Sequence, residues 1–143
     1  MGLHETLLAP DRRAATVDGF VAFVEAEVAG KSGLGGAAVK TAYAAARKIS
    51  PTIVRRAVAG MLPDFLDGLD PFWAARGEGA FSEALGSRPA EVTDALLSVT
   101  DRRAANPRHG ALTKIYAAVR PRAARHVTDA LPGLATTVER LMG

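Results

Sequence analysis

Apolar residues recur at intervals of three and four along most of this 143-residue chain, and no segment alternates with the period of two that a half-buried strand needs. Val17, Phe20, Val21, Val24 and Val28 form one stripe, Ile53, Val54, Ala57, Val58, Met61 and Leu62 a second, and Val92, Leu96, Leu97 and Val99 a third. A chain patterned this way packs helix against helix. The composition agrees, because 29 residues are Ala, the strongest helix former, and only eight are aromatic. The length suits one domain, 1–143, with a single shared core.

Proline and glycine punctuate the pattern. Asp11 reads as an N-cap, the run from Gly30 to Gly36 as a break, and Ala37 to Ile49 as a second helix. Ser50-Pro51 reads as a cap followed by an N1 proline, opening a third helix. Pro63 is expected to kink or end that helix, and Asp70-Pro71 repeats the cap-then-proline signal. Gly86 to Pro89, Asn106-Pro107, Pro121 and Pro132 mark the later breaks. The expectation is an all-α fold, a compact bundle of six to eight short helices.

The chain also echoes itself. Gly36-Ala37, Lys40, Tyr43-Ala44-Ala45 and Arg47 match Gly110-Ala111, Lys114, Tyr116-Ala117-Ala118 and Arg120 when one residue is deleted. Arg56, Val58 and Leu62-Pro63 then match Arg125, Val127 and Leu131-Pro132 at identical spacing. This suggests an internal duplication, with similar halves at 11–70 and 88–143 joined by 71–87 and packed about a pseudo-twofold axis. Each half would be a helix, a glycine-containing break, a second helix, and a third ending at Leu-Pro.

Several classes of function are excluded or disfavoured. With no cysteine there is no disulfide, thiolate metal site or cysteine nucleophile. No apolar run reaches the roughly 18 residues of a membrane span, and the start lacks a signal-peptide pattern, so a cytoplasmic protein is expected, without membrane association. His4, His109 and His126 are isolated, and no nucleophile elbow or carboxylate couple stands out. Asp64, Asp67 and Asp70 share a spacing of three but have no further ligand at a recognisable interval, so no metal is expected. The sequence reads as non-enzymatic and without a cofactor.

Three groups of residues are candidates for contact with something else. Phe65, Phe72, Trp73 and Phe81 concentrate the aromatic character beside Gly77-Glu78-Gly79 and could face a protein partner. Lys40, Arg47 and Arg55 in one half, with Lys114, Arg120 and Arg125 in the other, belong to basic segments without carboxylates and could form a positive face for nucleic acid. If those segments are merely solvated faces, Asp64, Asp67, Asp70 and Glu91 would compensate them. Lys31 and Ser32, and Arg108 in the second half, precede helix starts where an anion could bind.

Glu5-Thr6-Leu7-Leu8, Lys31-Ser32-Gly33-Leu34, Lys40 with Tyr43, Leu62-Pro63, Pro71-Phe72-Trp73 and Leu131-Pro132 together resemble a family of small uncharacterised helical proteins from high-GC Gram-positive bacteria. The resemblance runs nearly end to end and implies a helical, cytoplasmic, bacterial protein. It carries no functional residues. The leading expectation is therefore a non-catalytic protein that binds a partner or a second copy of itself. The alternative is nucleic-acid association, and a third reading is a carrier of an apolar small molecule held between the two halves.

Overall fold

A computed structural model describes residues 2–31, 33–105 and 110–143, the side chains of 33–35 and 110–112 excepted. Among these residues there are seven α-helices and no strand: α1 (Leu3–Leu7), α2 (Arg13–Gly30), α3 (Gly33–Ile49), α4 (Ile53–Ala75), α5 (Phe81–Ser87), α6 (Pro89–Ala104) and α7 (Gly110–Met142). They form a compact all-α bundle.

The internal prolines do not end helices. α4 runs through Pro63 and Pro71, and α7 through Pro121 and Pro132. An interior proline costs roughly 3 kcal/mol or more in a helix. α4 offsets this by burying Ile53, Leu62, Leu66, Leu69 and Phe72, each worth about 1.5–3 kcal/mol. Pro71, Pro121 and Pro132 also lie on the solvent side, where water can satisfy the carbonyl each proline leaves unpaired. Tertiary packing overrides the local stop signal.

The expected halves are consequently organised differently. Residues 36–63 lie in two helices separated by a turn at 50–52, whereas their sequence counterparts, 110–132, lie in the single helix α7. Ser50 Oγ accepts a hydrogen bond from the Thr52 N–H at 3.4 Å, which stabilises the turn around Pro51. Arg120, which precedes Pro121, is instead held by Asp101 on α6. Neither third helix ends at its Leu-Pro, and the joining segment 71–87 is occupied by the end of α4 and by α5.

Two further boundaries depart from expectation. α2 begins at Arg13 with no side-chain cap, and Asp11 stands outside it in a turn. α3 begins at Gly33 rather than after the glycines. Gly36 is needed there, since a Cβ on it would lie 2.8 Å from the Lys31 carbonyl carbon.

The core is filled by Leu3 and Leu7 of α1, Leu62, Leu66, Leu69 and Phe72 of α4, Phe81 and Leu85 of α5, Val92 and Leu96 of α6, and Leu131, Leu134, Ala135 and Val138 of α7, with Val17 and Phe20 of α2. The helix α1 has no counterpart in the sequence expectation. Asp70 Oδ1 accepts the Leu3 N–H at 2.7 Å, and His4 Nδ1 and Asp67 Oδ1 share a hydrogen bond at 2.8 Å. Thr16, itself buried, donates to the Leu7 carbonyl at 2.8 Å. Two of the three evenly spaced aspartates thus dock the N-terminal helix. Among the described residues the core cluster contains no side chain of α3, and that asymmetry positions the candidate site.

Candidate functional site

Where α3 faces the bundle, the helices enclose a cavity of about 640 Å³ that is partly open to solvent. α2 contributes Val24 and Val28; α3 contributes Val39, Ala42, Tyr43, Ala46 and Ile49. α4 contributes Ile53, Val54, Arg56, Ala57, Val58 and Met61, α6 Thr100, Arg103 and Ala104, and α7 Thr113, Ile115, Tyr116 and Val119. The α3 positions 39, 42, 43 and 46 and the α4 positions 54, 57, 58 and 61 are spaced as one helix face each. Alanines at 42, 46, 57 and 104 leave space where larger side chains would meet. The walls come from residues 24–61 and 100–119, and so from both candidate halves.

This cavity explains a gap in the core. Val24, Val28, Val54 and Met61 belong to the apolar stripes of the sequence, yet each is only half-buried, as are Ile115 and Val119 of α7. They are turned inward onto a space instead of onto one another. Ile49, 47% exposed, is the large hydrophobic side chain standing out to solvent among the described residues, and it lies on the cavity lining.

One polar network reinforces the wall. Arg120 Nε and Nη2 donate to Asp101 Oδ1 and Oδ2 at 2.8 and 3.0 Å, a two-pronged ion pair between α7 and α6. The Tyr116 hydroxyl donates to Asp101 Oδ1 at 2.6 Å and lies 2.7 Å from the Thr100 hydroxyl. The Arg120 hydrogen bond, followed by that of Tyr116, holds the Asp101 carboxyl below its usual range. Burial, then the bond to Asp101, pushes the Tyr116 phenol up.

The other polar groups on the lining are differently placed. Tyr43, Arg56 and Arg103 have no side-chain hydrogen bond or ion pair among the described residues, and no carboxylate appears on the described lining. Arg103 reaches across Gly60 of α4, where an added Cβ would lie 3.3 Å from its guanidinium carbon. Arg56 sits one helical turn before Gly60, on the same side of α4.

The residues singled out in the sequence scatter around this cavity. Phe72 and Phe81 are buried, while Phe65 and Trp73 pack half-buried on the same core. Trp73 meets Phe81 edge to face at 5.1 Å, and the Arg76 guanidinium covers the indole at 3.4 Å. The aromatic cluster contributes to packing, with Phe72 and Phe81 buried in the core and Phe65 and Trp73 set against it.

The basic candidates divide. Lys40, Arg47, Lys114 and Arg125 are exposed, Arg55 pairs with Asp18 on α2, and Arg120 pairs with Asp101. Compensation thus comes from Asp18 and Asp101, whereas Asp67 and Asp70 serve α1 and Glu91 lies 3.9 Å from Arg88. Lys31 Nζ donates to the His126 carbonyl at 3.5 Å. Ser32 and Arg108 lie outside the described residues. Among the described residues, no group of three His, Asp or Glu side chains could hold a metal ion.

The sequence did not single out the cavity, although its parts were visible. Tyr43 and Tyr116, the paired tyrosines of the internal echo, face it from α3 and α7. A model of a family of unknown function, DUF6918, matches residues 3–142. The chain belongs to this family. The DUF6918 match spans all seven helices, in keeping with the end-to-end resemblance seen in the sequence. No curated protein and no solved structure matches the chain. No described helix of this DUF6918 protein is long and apolar enough to cross a membrane.

Proposed function

We propose that this protein is a non-catalytic carrier or sensor of an apolar small molecule, bound in the cavity among α2, α3, α4, α6 and α7. The observation that supports this reading is the cavity itself: about 640 Å³, within the roughly 300–1,000 Å³ of ligand sites, with almost wholly apolar walls. Filling it would remove from water the inward faces of residues that the protein's own packing leaves half-covered.

This reading moves ahead of association with a protein partner through Phe65, Phe72, Trp73 and Phe81, because those rings are largely used in the core. It also moves ahead of nucleic-acid binding, because two of the six basic candidates are already paired with carboxylates. A cytoplasmic location and an origin in a high-GC Gram-positive bacterium belong to the same proposal.

Titration with a neutral, environment-sensitive dye such as Nile red tests it. The expected result is saturable, one-to-one fluorescence enhancement that Ala57→Trp abolishes, the indole occupying the cavity. No enhancement, or an enhancement unchanged in the variant, would overturn the reading.

A further inference from the structure

The polar lining carries information about the ligand beyond its apolar character, and the inference drawn from it rests on the carrier reading above. A cavity meant for a wholly apolar molecule gains nothing from charged groups on its wall, since an unpaired charge in a partly dry site is unfavourable. Yet two guanidiniums line this one, Arg56 on α4 and Arg103 on α6. Neither has a carboxylate partner among the described residues; Arg103 is half-buried, whereas Arg56 is exposed to solvent.

Two arginines elsewhere among the described residues pair with a carboxylate on another helix. Arg55 pairs with Asp18, and Arg120 takes Asp101 in a two-pronged bond on the neighbouring turn of α7. Arg103 lies only two residues after Asp101 on α6 but on another side of the helix, across Gly60. Because Gly60 has no side chain, the guanidinium can lie against α4, and residue 56 one turn earlier brings a second positive charge toward the same place.

The third polar group without a side-chain partner on the described lining is the Tyr43 hydroxyl on α3. The set can donate to an anion from three helices, and the described lining holds no carboxylate to repel it.

The geometry points to an amphiphile with a single hydrocarbon chain and a carboxylate head, the chain lying against Val24, Val39, Val54 and Met61 and the head held by Arg56 and Arg103. A guanidinium grips a planar carboxylate through two parallel N–H···O bonds, and the same two-pronged arrangement already occurs between Arg120 and Asp101.

The test compares three probes of equal chain length on the intact protein: dodecanoate, dodecan-1-ol and dodecylammonium, titrated calorimetrically below their aggregation limits at fixed ionic strength. Dodecanoate is expected to bind at least about tenfold more tightly than the alcohol, the minimum for one hydrogen bond to a charged group, with the ammonium weakest. The double variant Arg56→Gln/Arg103→Gln is expected to bring the acid-to-alcohol ratio close to one; a ratio unchanged from the wild-type protein would overturn the inference. Equal binding of acid and alcohol by the wild-type protein would overturn this inference and leave the carrier reading standing. Binding of none of the three would overturn both.

Discussion

The Tyr116 hydroxyl donates to Asp101 Oδ1 across 2.6 Å, and this bond ties α7 to α6 at the edge of the apolar cavity. The same carboxylate accepts both prongs of Arg120, one turn further along α7, so a single side chain fixes the rotation of the helix that carries Ile115, Tyr116 and Val119. Removing the hydroxyl by Tyr116→Phe is expected to cost about 1 kcal/mol, a lowering of Tm by about 2–4 °C for a chain of this size. Thermal unfolding followed by circular dichroism measures it; an unchanged midpoint would mean the bond contributes nothing.

The same cluster sets the direction of a pH dependence. Asp101 has a lower pKa in the folded protein than in the unfolded chain, so its contribution is full above the ordinary carboxyl value of about 4 and is lost as pH falls through the folded value. Tyr116 has a raised pKa, so its contribution is full below about pH 10 and is lost as pH rises through the folded value. Tm measured from pH 2 to pH 7 is expected to fall less steeply below pH 4 in Asp101→Asn than in the wild-type protein. Parallel curves would contradict the assignment.

Enlarging a side chain on the cavity wall is expected to stabilise the free protein. Ala57→Met would place a flexible apolar chain in unfilled space, giving about 0.5–2 kcal/mol. In a filled core the same change would overpack and destabilise by about 1–3 kcal/mol. The sign of the change in denaturant midpoint therefore decides whether the space around Ala57 is empty.

The aromatic cluster makes the opposite prediction. Phe81 is 1% exposed and stacks edge-on against Trp73, so Phe81→Ala is expected to cost about 3–5 kcal/mol. A ring serving only as a partner contact would be removed with almost no effect on urea unfolding.

Pro121 is exposed within the continuous helix α7, where it interrupts one backbone hydrogen bond without filling core space. Pro121→Ala is expected to stabilise by about 2–2.6 kcal/mol, the helix gain of about 3 less the roughly 0.4–1 of entropy the proline removes from the unfolded chain. Destabilisation would mean that α7 needs the proline at that point.

The helical class and most of the core stripes were legible because the period of the apolar residues reports helix faces directly. The extents of α4 and α7 were not, because Pro63, Pro71, Pro121 and Pro132 are local stop signals and the buried leucines that override them act through tertiary contact. α1 escaped notice because five residues show no period, and its anchors, Asp67 and Asp70, lie more than sixty residues away.

The cavity was hidden for a related reason. A stripe such as Val54, Ala57, Val58 and Met61 marks an inward face, but periodicity does not say whether that face meets another side chain or an opening. The alanines opposite it at 42, 46 and 104 are the residues that create the opening, and in an alanine-rich chain they do not stand out. Arg103 did not stand out, because its lack of a carboxylate partner among the described residues depends on which side of α6 it leaves.

The measurement that bears most directly on the central claim is native mass spectrometry of the protein purified gently from its expression host, alongside Ala57→Trp purified in the same way. The account predicts an added small-molecule mass, in one-to-one proportion, on the wild-type chain and its absence from the variant. A wild-type chain that emerges without added mass, and still shows none after incubation with a dodecyl amphiphile, would contradict it.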